Sequence, residues 1–295
     1  MTPDFSFHSP EQKIRHPLYT QKGIEVCFKR DDMIHPFISG NKWRKLKYNL
    51  IKATEENKKH IVTFGGAWSN HILATSCAGA TFGYSTEAFI RGEEVENPIL
   101  TMCKLFGMQL HFVSREAYQH KKELFTTSIH RDHAYFIDEG GYGIEAVRGC
   151  KEIITELSTP YQHIFCAAGT GTTAAGLALA LAENELNSQL HVVPVLKGGD
   201  FMAEEMKKLR APLQQTILHT DYHFGGYAKT TPELIAFVKD FVAQTGVMVE
   251  PIYTGKALFA LHHLIEQNTF QVGERILFIH TGGLTGLLGM LDKFN

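Results

Sequence analysis

The sequence predicts an α/β protein with mainly parallel sheets covered by helices. Short β-rich runs alternate with helix-like stretches along most of the chain, and several of these runs end in glycine-rich turns. Strands that alternate with helices are joined by crossovers, which makes neighbouring strands parallel. The predicted strands are IEVCFKR (24–30), HIVTFGG (60–66), STEAFIRG (85–92), MQLHFV (108–113), HAYFID (133–138), HIFCAAG (163–169), LHVVPVL (190–196) and RILFIHTGG (275–283).

Four longer stretches between these runs have helical patterns. They are WRKLKYNLIKATEENKK (43–59), REAYQHKKELFTTSIHRD (115–132), TTAAGLALALAENEL (172–186) and TPELIAFVKDFVAQTG (231–246). The last begins with Thr-Pro-Glu, a good helix start, and ends at Gly246, a good helix stop. No repeat or linker separates the elements, so any second domain is inserted in the first or packed tightly on it.

Four of the predicted strands run into glycine pairs or triplets. These are Gly65–Gly66, Gly140–Gly141, Gly169–Gly171 and Gly282–Gly283. Ligands of open α/β sheets bind at the carboxyl ends of strands, where glycine lets the backbone approach them closely. The turns therefore predict a ligand site at this edge.

Composition excludes several classes of protein. The 295 residues are 44% hydrophobic and 20% charged with a formal net charge of −2, which predicts no nucleic-acid partner. No apolar run reaches the about 20 residues of a membrane span, and the first residues lack a signal pattern, so we expect a cytoplasmic protein without a membrane partner. Five cysteines without CxxC spacing indicate a reducing compartment. Sixteen histidines show no ligand spacing, so no metal site is expected.

The stretch CAAGTGTTAAG (166–176) is the clearest ligand signal. A strand runs into glycines and threonines and then into an alanine-rich helix, whose free backbone N–H groups suit a phosphate. A dinucleotide fingerprint fits poorly because Asp200, the acidic residue after the next strand, follows a glycine pair. A Walker A motif is absent. The alternative is a tight strand–helix turn without a ligand.

Three further stretches carry candidate residues, each with a plainer alternative. GGAWSNHILATSCAGA (65–80) places Ser69 and Asn70 at a helix start, where both are common caps. VEPIYTGKALFALHHL (249–264) presents Tyr253 and Thr254 just before a helix, although an isolated tyrosine is usually a core residue. SGNKWRKLKY (39–48) is a basic cluster that, alone, is typical of a solvated helix start.

Together, and in this order, the motifs resemble the pyridoxal-phosphate (PLP) enzymes of the tryptophan synthase β-like fold, fold type II. The most similar group contains 1-aminocyclopropane-1-carboxylate (ACC) deaminase and D-cysteine desulfhydrase. The resemblance extends from Lys29 to Gly283, nearly the whole chain. Its segments are KRDDMIHPFISGNKWRKLKY, VTFGGAWSNH, DEGG, AAGTGTTAAG, FGGYAKTTPE, EPIYTGKA and IHTGG.

The resemblance implies a role for each candidate residue. Lys42, after Gly-Asn, would bind PLP covalently, and such a lysine needs a depressed pKa from burial and nearby positive charge. Arg44 and other lysines would supply that charge, while Lys45 and Lys47 would otherwise be ordinary helix residues. Asn70 would hydrogen-bond the ring hydroxyl of the cofactor, Ser69 would bind the substrate carboxylate, and Tyr227 and Tyr253 would donate protons. The cofactor phosphate would be held by the loop residues Gly169, Thr170, Gly171, Thr172 and Thr173.

Thr254 favours one activity within this group. Deaminases that open the cyclopropane ring are expected to place a glutamate directly after the matching tyrosine, facing the pyridine nitrogen. A carboxylate there keeps the nitrogen protonated, whereas a hydroxyl can only hydrogen-bond. The Tyr-Thr-Gly-Lys segment at 253–256 therefore resembles desulfhydrases, for which a weaker electron sink suffices.

We therefore expect a PLP-dependent lyase that removes the α proton of a small amino acid and eliminates its β substituent, giving a keto acid and ammonia. A smaller domain (45–138) would be inserted in a larger cofactor-binding domain (1–44 and 139–295), and the resemblance implies a homodimer. The alternatives are an ACC deaminase, an amino-acid racemase of the same fold, or a catalytically silent phosphate-ligand binder. The short loop after Gly141 and the brief N-terminus depart from the group and affect the expected substrate more than the cofactor, and the bulky Trp68 beside Ser69 would narrow the pocket.

Overall fold

The computed structural model describes residues 3–128 and 133–295. In these ranges the chain forms two sheets. The larger has six strands in the order β1-β2-β10-β7-β8-β9, and all neighbours are parallel except β1 and β2. Its strands are β1 (Glu11–Lys13), β2 (Glu25–Lys29), β7 (His163–Ala168), β8 (Gln189–Pro194), β9 (Thr216–Leu218) and β10 (Arg275–Ile279).

The second sheet has four parallel strands in the order β5-β4-β3-β6. They are β3 (His60–Gly65), β4 (Ser85–Arg91), β5 (Gln109–Val113) and β6 (Ala134–Ile137). These strands confirm the predicted α/β class with mainly parallel sheets. The second sheet lies within 45–138 and the first outside it, but the domain division itself stays a prediction.

Helices connect the strands and pack against the sheets. The α-helices are α1 (Pro17–Lys22), α2 (Asn41–Glu55), α3 (Asn70–Phe82), α4 (Pro98–Leu105), α5 (Lys121–Ser128), α6 (Ile144–Thr155), α7 (Thr172–Glu183), α8 (Phe201–Lys208), α9 (Pro232–Thr245) and α10 (Thr254–Glu266). Shorter 3₁₀ helices are Asp31–Met33, Ala117–His120, Glu139–Gly141, Leu284–Gly289 and Leu291–Phe294.

The predicted elements occur close to their expected places. The helix predicted over 115–132 is a 3₁₀ turn followed by α5, and its last four residues lie outside the described ranges. At α9, the Thr231 hydroxyl accepts a hydrogen bond from the Leu234 backbone N–H, and Gly246 ends the helix at φ 69°. Both ends match the predicted signals.

Three helices pack with their backbones almost in contact. A Cβ added to Gly149 of α6 would lie 1.8 Å from the Arg44 carbonyl oxygen of α2. A Cβ added to Gly176 of α7 would lie 2.4 Å from Cys150 Cβ of α6. No larger side chain fits at either glycine, so α2, α6 and α7 form one closely packed layer.

Candidate active site

The four glycine turns meet where the carboxyl ends of the two sheets face each other. A Cβ on Gly140, after β6, would lie 3.1 Å from Thr170 Cγ2, after β7. A Cβ on Gly283, after β10, would lie 3.0 Å from Asn70 Nδ2, after β3. The turns therefore bring predicted site residues of both sheets into one cleft, as expected for a ligand site in α/β proteins.

Lys42 stands at the start of α2 and is held from two sides. The Asn41 backbone N–H donates to the Thr281 carbonyl at 3.2 Å, which pins the helix start to the end of β10. The Lys42 Nζ donates to Asn41 Oδ1 at 2.7 Å, and Asn41 Nδ2 donates to Thr173 Oγ1 at 3.0 Å. The lysine and the threonine loop are thus joined through one asparagine, which the sequence did not single out.

Burial lowers the pKa of Lys42 to about 7, and the nearby Lys45 ammonium lowers it further, against the opposing effects of Cys150 and Glu250. A substantial fraction of the amine is therefore neutral near pH 7, as a nucleophile or general base requires. A lowered pKa is the property that the resemblance implies for a lysine that binds PLP.

Of the groups expected to supply positive charge, Lys45 lowers the pKa of Lys42. Arg44 is fully buried but is neutralised by Asp31 and Glu156, so it offers little net charge to the site. Lys45 was otherwise expected to be an ordinary helix residue. It is 5% exposed, and its Nζ donates to the Gly140 carbonyl at 3.0 Å. The only feature of the sequence that could have placed Lys45 in the site was its position one helix turn after Lys42.

The threonine loop suits a phosphate group. Gly171 stands before α7 at φ 80° and no side chain caps the helix, so its first-turn N–H groups are available to an anion. Thr172 and Thr173 are buried behind it, and the Thr170 and Thr172 hydroxyl oxygens lie 3.1 Å apart. The Lys45 Nζ donates to the Gly140 carbonyl, and Gly140 lies next to Thr170. The buried Lys45 cation therefore lies beside this loop. A cation next to free helix N–H groups fits a dianionic phosphate.

Ser69 and Asn70 lie at the start of α3. The Ser69 Oγ accepts from the Ile72 backbone N–H at 3.3 Å, so the capping alternative holds for this residue. Capping leaves the hydroxyl proton free for a substrate carboxylate. The Asn70 Oδ1 accepts from the Thr285 hydroxyl at 2.9 Å, a partner not foreseen from the sequence.

The two tyrosines lie together. The Tyr227 and Tyr253 rings are 5.9 Å apart in an edge-on arrangement, and Tyr227 is 44% exposed. Burial raises the pKa of Tyr253 well above its usual value, and Tyr227 raises it further, so the phenol keeps its proton. Lys256 holds the Tyr227 loop by donating to the Gly226 carbonyl at 2.7 Å.

Thr254 is buried and bonded to Glu250. Its Oγ1 lies 3.1 Å from Glu250 Oε1, which also accepts the backbone N–H groups of Tyr253 and Thr254. Oε2 accepts the Ile252 N–H at 2.7 Å. Burial raises the pKa of Glu250 to about 7, although these hydrogen bonds oppose the rise. The Glu250 carboxylate thus accepts hydrogen bonds from the backbone N–H groups at the start of α10.

His71 was missed by sequence reasoning. It is 1% exposed, and its Nε2 lies 2.8 Å from Thr63 Oγ1, which already donates to the Ile137 carbonyl. The hydroxyl has one proton, so Nε2 must be the donor and Nδ1 a bare acceptor. Within the described ranges Nδ1 has no partner. Burial lowers the pKa of His71 well below its usual value, and Lys42 and Lys45 lower it further.

Residues 3–128 and 133–295 contain no group of three or more His, Cys, Asp or Glu side chains that could hold a metal ion. Within the same ranges, no helix has the length and apolar character needed to cross a membrane.

Comparison with known proteins gives a consistent result. The chain is 30% identical over 301 residues to the Arabidopsis thaliana bifunctional D-cysteine desulfhydrase/ACC deaminase, with 92% of this chain and 75% of that protein covered. It is 28% identical to the Klebsiella pneumoniae D-cysteine desulfhydrase, with 90% and 88% covered. The solved structure of an ACC deaminase homologue superposes with a TM-score of 0.87 at 27% identity, covering 100% of this chain and 94% of that one.

A fungal L-serine ammonia-lyase from Rhizomucor miehei shares the fold alone, with a TM-score of 0.75 at 16% identity, covering 97% and 96%. The sequence model described as "Pyridoxal-phosphate dependent enzyme" matches residues 12–282. The predicted fold type and cofactor are confirmed, and the chain belongs to the pyridoxal-phosphate dependent enzyme family.

Proposed function

We propose that the protein is a lyase resembling D-cysteine desulfhydrase, which removes the α proton of a small amino acid and eliminates its β substituent. One observation supports this activity over ring opening. Tyr253 is followed by Thr254, and the nearest carboxylate, Glu250, is held by three backbone N–H groups. Within the part of the chain that the structure describes, the carboxylate that contacts Thr254 is therefore occupied by backbone donors, and the residue after Tyr253 is a threonine, which cannot keep the pyridine nitrogen protonated. The Klebsiella relative carries the same activity in its name.

Several residues would hold the cofactor. Lys42 would bind it covalently, the loop from Gly169 to Thr173 with Lys45 would hold its phosphate, and Asn70 would donate to its ring hydroxyl oxygen. Thr254 would lie near the ring nitrogen. When bound, PLP supplies an electron sink that stabilises negative charge at the substrate Cα.

The chain's own groups handle the substrate and its protons. The Ser69 hydroxyl and the N-terminus of α3 would bind the substrate carboxylate, because both offer N–H or O–H donors to an anion. Once the substrate amine has displaced it from the cofactor, the Lys42 Nζ, neutral in part near pH 7, would accept the α proton. Tyr253 and Tyr227 keep their phenolic protons and would donate one to the departing sulfur. The released product then hydrolyses to a keto acid and ammonia.

ACC deamination is a second candidate because the Arabidopsis relative carries both activities in its name. The solved structure with a TM-score of 0.87 is also described as an ACC deaminase homologue. Thr254 argues against it for this chain. An assay with ACC as the substrate separates the two, since only ring opening yields a keto acid from that compound.

The first experiment is an absorption spectrum of the purified protein before and after D-cysteine, with sulfide measured in parallel. We expect a visible band that shifts with substrate, together with sulfide. In Lys42→Ala both should be lost, while Lys52→Ala, on the exposed part of the same helix, should retain both. Sulfide formation at the wild-type rate by Lys42→Ala would refute the assignment of this lysine. A wild-type protein without a band, even after added PLP, would favour the silent binder.

We further propose a homodimer in the cytoplasm, with residues 45–138 as the smaller domain. The dimer rests on the family resemblance. The five cysteines are free and buried, in keeping with a reducing compartment. Light scattering after size-exclusion chromatography measures the assembly directly, and a mass near the 33.1 kDa of one chain would contradict the dimer.

A further inference from the structure

The 3₁₀ helix Leu284–Gly289, called here the 284–289 helix, presents a face made of glycine. Gly283 stands just before it, and Gly286 and Gly289 follow at intervals of three. A 3₁₀ helix has three residues per turn, so these positions lie above one another on one side. That side packs against the turn that precedes α3.

Trp68 of this turn and Asn70, the first residue of α3, lie against the glycine face. A Cβ added to Gly289 would lie 2.8 Å from Cε3 and 2.9 Å from Cδ2 of the Trp68 ring. A Cβ added to Gly286 would lie 3.5 Å from Asn70 Nδ2, and one on Gly283 only 3.0 Å from it. The indole and the amide thus lie against bare backbone, which fixes the distance between the turn and the 284–289 helix.

The only side chain of this helix that bonds the turn within the described ranges is Thr285. Its hydroxyl donates to Asn70 Oδ1 at 2.9 Å. An amide has an acceptor end and a donor end, so holding Oδ1 here determines where Nδ2 points. Nδ2 then lies beside Gly283.

The start of α2, which carries Lys42, lies beside the Gly282–Gly283 turn. A Cβ added to Gly282 would lie 3.1 Å from Gly40 Cα, two residues before Lys42. The Lys42 charge also lowers the pKa of His71, the residue that follows Asn70. The donor end of the Asn70 amide therefore lies on the side of the cleft that carries Lys42.

We propose that Thr285 is a positioning residue, whose hydroxyl fixes the Asn70 amide so that Nδ2 is presented to the cofactor's ring hydroxyl oxygen. This rests on the proposed contact between Asn70 and PLP. Without Thr285 the amide can rotate by half a turn, which would place Oδ1 against the ring oxygen. An ionised ring oxygen is an acceptor only, so two acceptors would then face each other and the hydrogen bond would be lost.

The test compares Thr285→Val, which keeps the shape and removes the hydroxyl, with Thr285→Ser, which keeps the hydroxyl. Asn70→Ala serves as the reference variant. The dissociation constant of PLP is measured by titrating each cofactor-stripped protein and following the visible band. We expect Thr285→Val to bind PLP about tenfold more weakly, the size of one net hydrogen bond, and Thr285→Ser to stay within about twofold of wild type. The position of the visible band should shift in Thr285→Val and Asn70→Ala but not in Thr285→Ser.

Each other result has a distinct meaning. If Asn70→Ala weakens PLP binding and Thr285→Val does not, the positioning role is overturned while the proposed function stands. Equal losses in Thr285→Val and Thr285→Ser would also overturn it, because packing alone would explain them. Unchanged binding in Asn70→Ala would remove the contact on which the inference rests. A wild-type protein that binds no PLP would instead refute the proposed function. Urea unfolding midpoints of all variants exclude misfolding as the cause.

Discussion

Replacing Lys42 by methionine should make the cofactor-free protein more stable while it abolishes turnover. Methionine has a similar length and carries no charge, so the variant removes an amine whose pKa in the fold is about 7 instead of 10.5. Below its unfolded pKa the lysine is protonated in the unfolded chain, but the buried site disfavours that proton. Folding at neutral pH must therefore either release a proton or bury a charge.

The size of the effect follows from these two pKa values. At about 1.4 kcal/mol per pH unit, the unfavourable contribution near pH 7 is about 4 kcal/mol. The hydrogen bond from Nζ to Asn41 Oδ1 is lost in the variant and offsets about 1 kcal/mol. We expect Lys42→Met to raise the free energy of unfolding by about 3 kcal/mol near pH 7.

The dependence on pH is the more diagnostic quantity. Between about pH 7 and pH 10.5 the unfolded chain binds more protons at Lys42 than the folded one, so wild-type stability rises with pH in this window. The variant lacks this titration. Its advantage should therefore shrink by about 2 kcal/mol between about pH 7 and about pH 9.

Urea unfolding of both cofactor-free proteins at the two pH values measures this difference, and groups that titrate in both proteins cancel. Lys52→Met, from the exposed part of the same helix, is the control and should change stability by less than about 1 kcal/mol at either pH. A Lys42→Met protein that is less stable than wild type, or whose advantage does not change with pH, would refute the burial argument.

Three further predictions concern the supports of the site. Gly149→Ala should lower the free energy of unfolding by about 3 kcal/mol or more, because its Cβ would overlap a backbone oxygen. The control Gly83→Ala, which has open space around it, should lower it by only about 1 kcal/mol. Chemical denaturation compares the two variants. Lys256→Met should free the Tyr227 loop and reduce kcat/KM for D-cysteine about tenfold without changing PLP content, which absorbance measures; unchanged kinetics would contradict the anchoring role. Glu250→Gln should lower the free energy of unfolding by about 2 kcal/mol, since an amide nitrogen cannot accept a hydrogen bond from a backbone N–H. A stability equal to wild type would show that the hydrogen bonds at the start of α10 are not needed.

The main elements of the fold could be read from the sequence because buried parallel strands are long apolar runs with clear ends. β3, β7 and β10 each stop at glycines that the pattern shows plainly. Helices α1, α4, α6 and α8 and the short edge strands β1 and β9 were not predicted. These are short or mixed in character, so their structure depends on packing more than on local preference.

Local sequence predicted only part of the candidate site. The threonine loop was visible as a pattern of glycines and threonines, whereas the role of Lys42 came from the family resemblance, because its own stretch is typical of a solvated helix start. Lys45, Glu250 and Thr285 act through burial and through partners distant in sequence or on another helix turn, which a linear pattern does not contain. Nδ1 of His71 is an acceptor because the single hydroxyl proton of Thr63 is already donated to a backbone carbonyl. Only the folded structure reveals this arrangement.

The layer of α2, α6 and α7 determines which groups can move relative to one another. Lys42 on α2 and the threonine loop before α7 belong to helices whose backbones touch through Gly149 and Gly176, so they behave mechanically as one piece. A substitution that forces these backbones apart would therefore change the distance between Lys42 and the threonine loop. It would weaken both of the cofactor's proposed anchors at once, although it lies in neither of them.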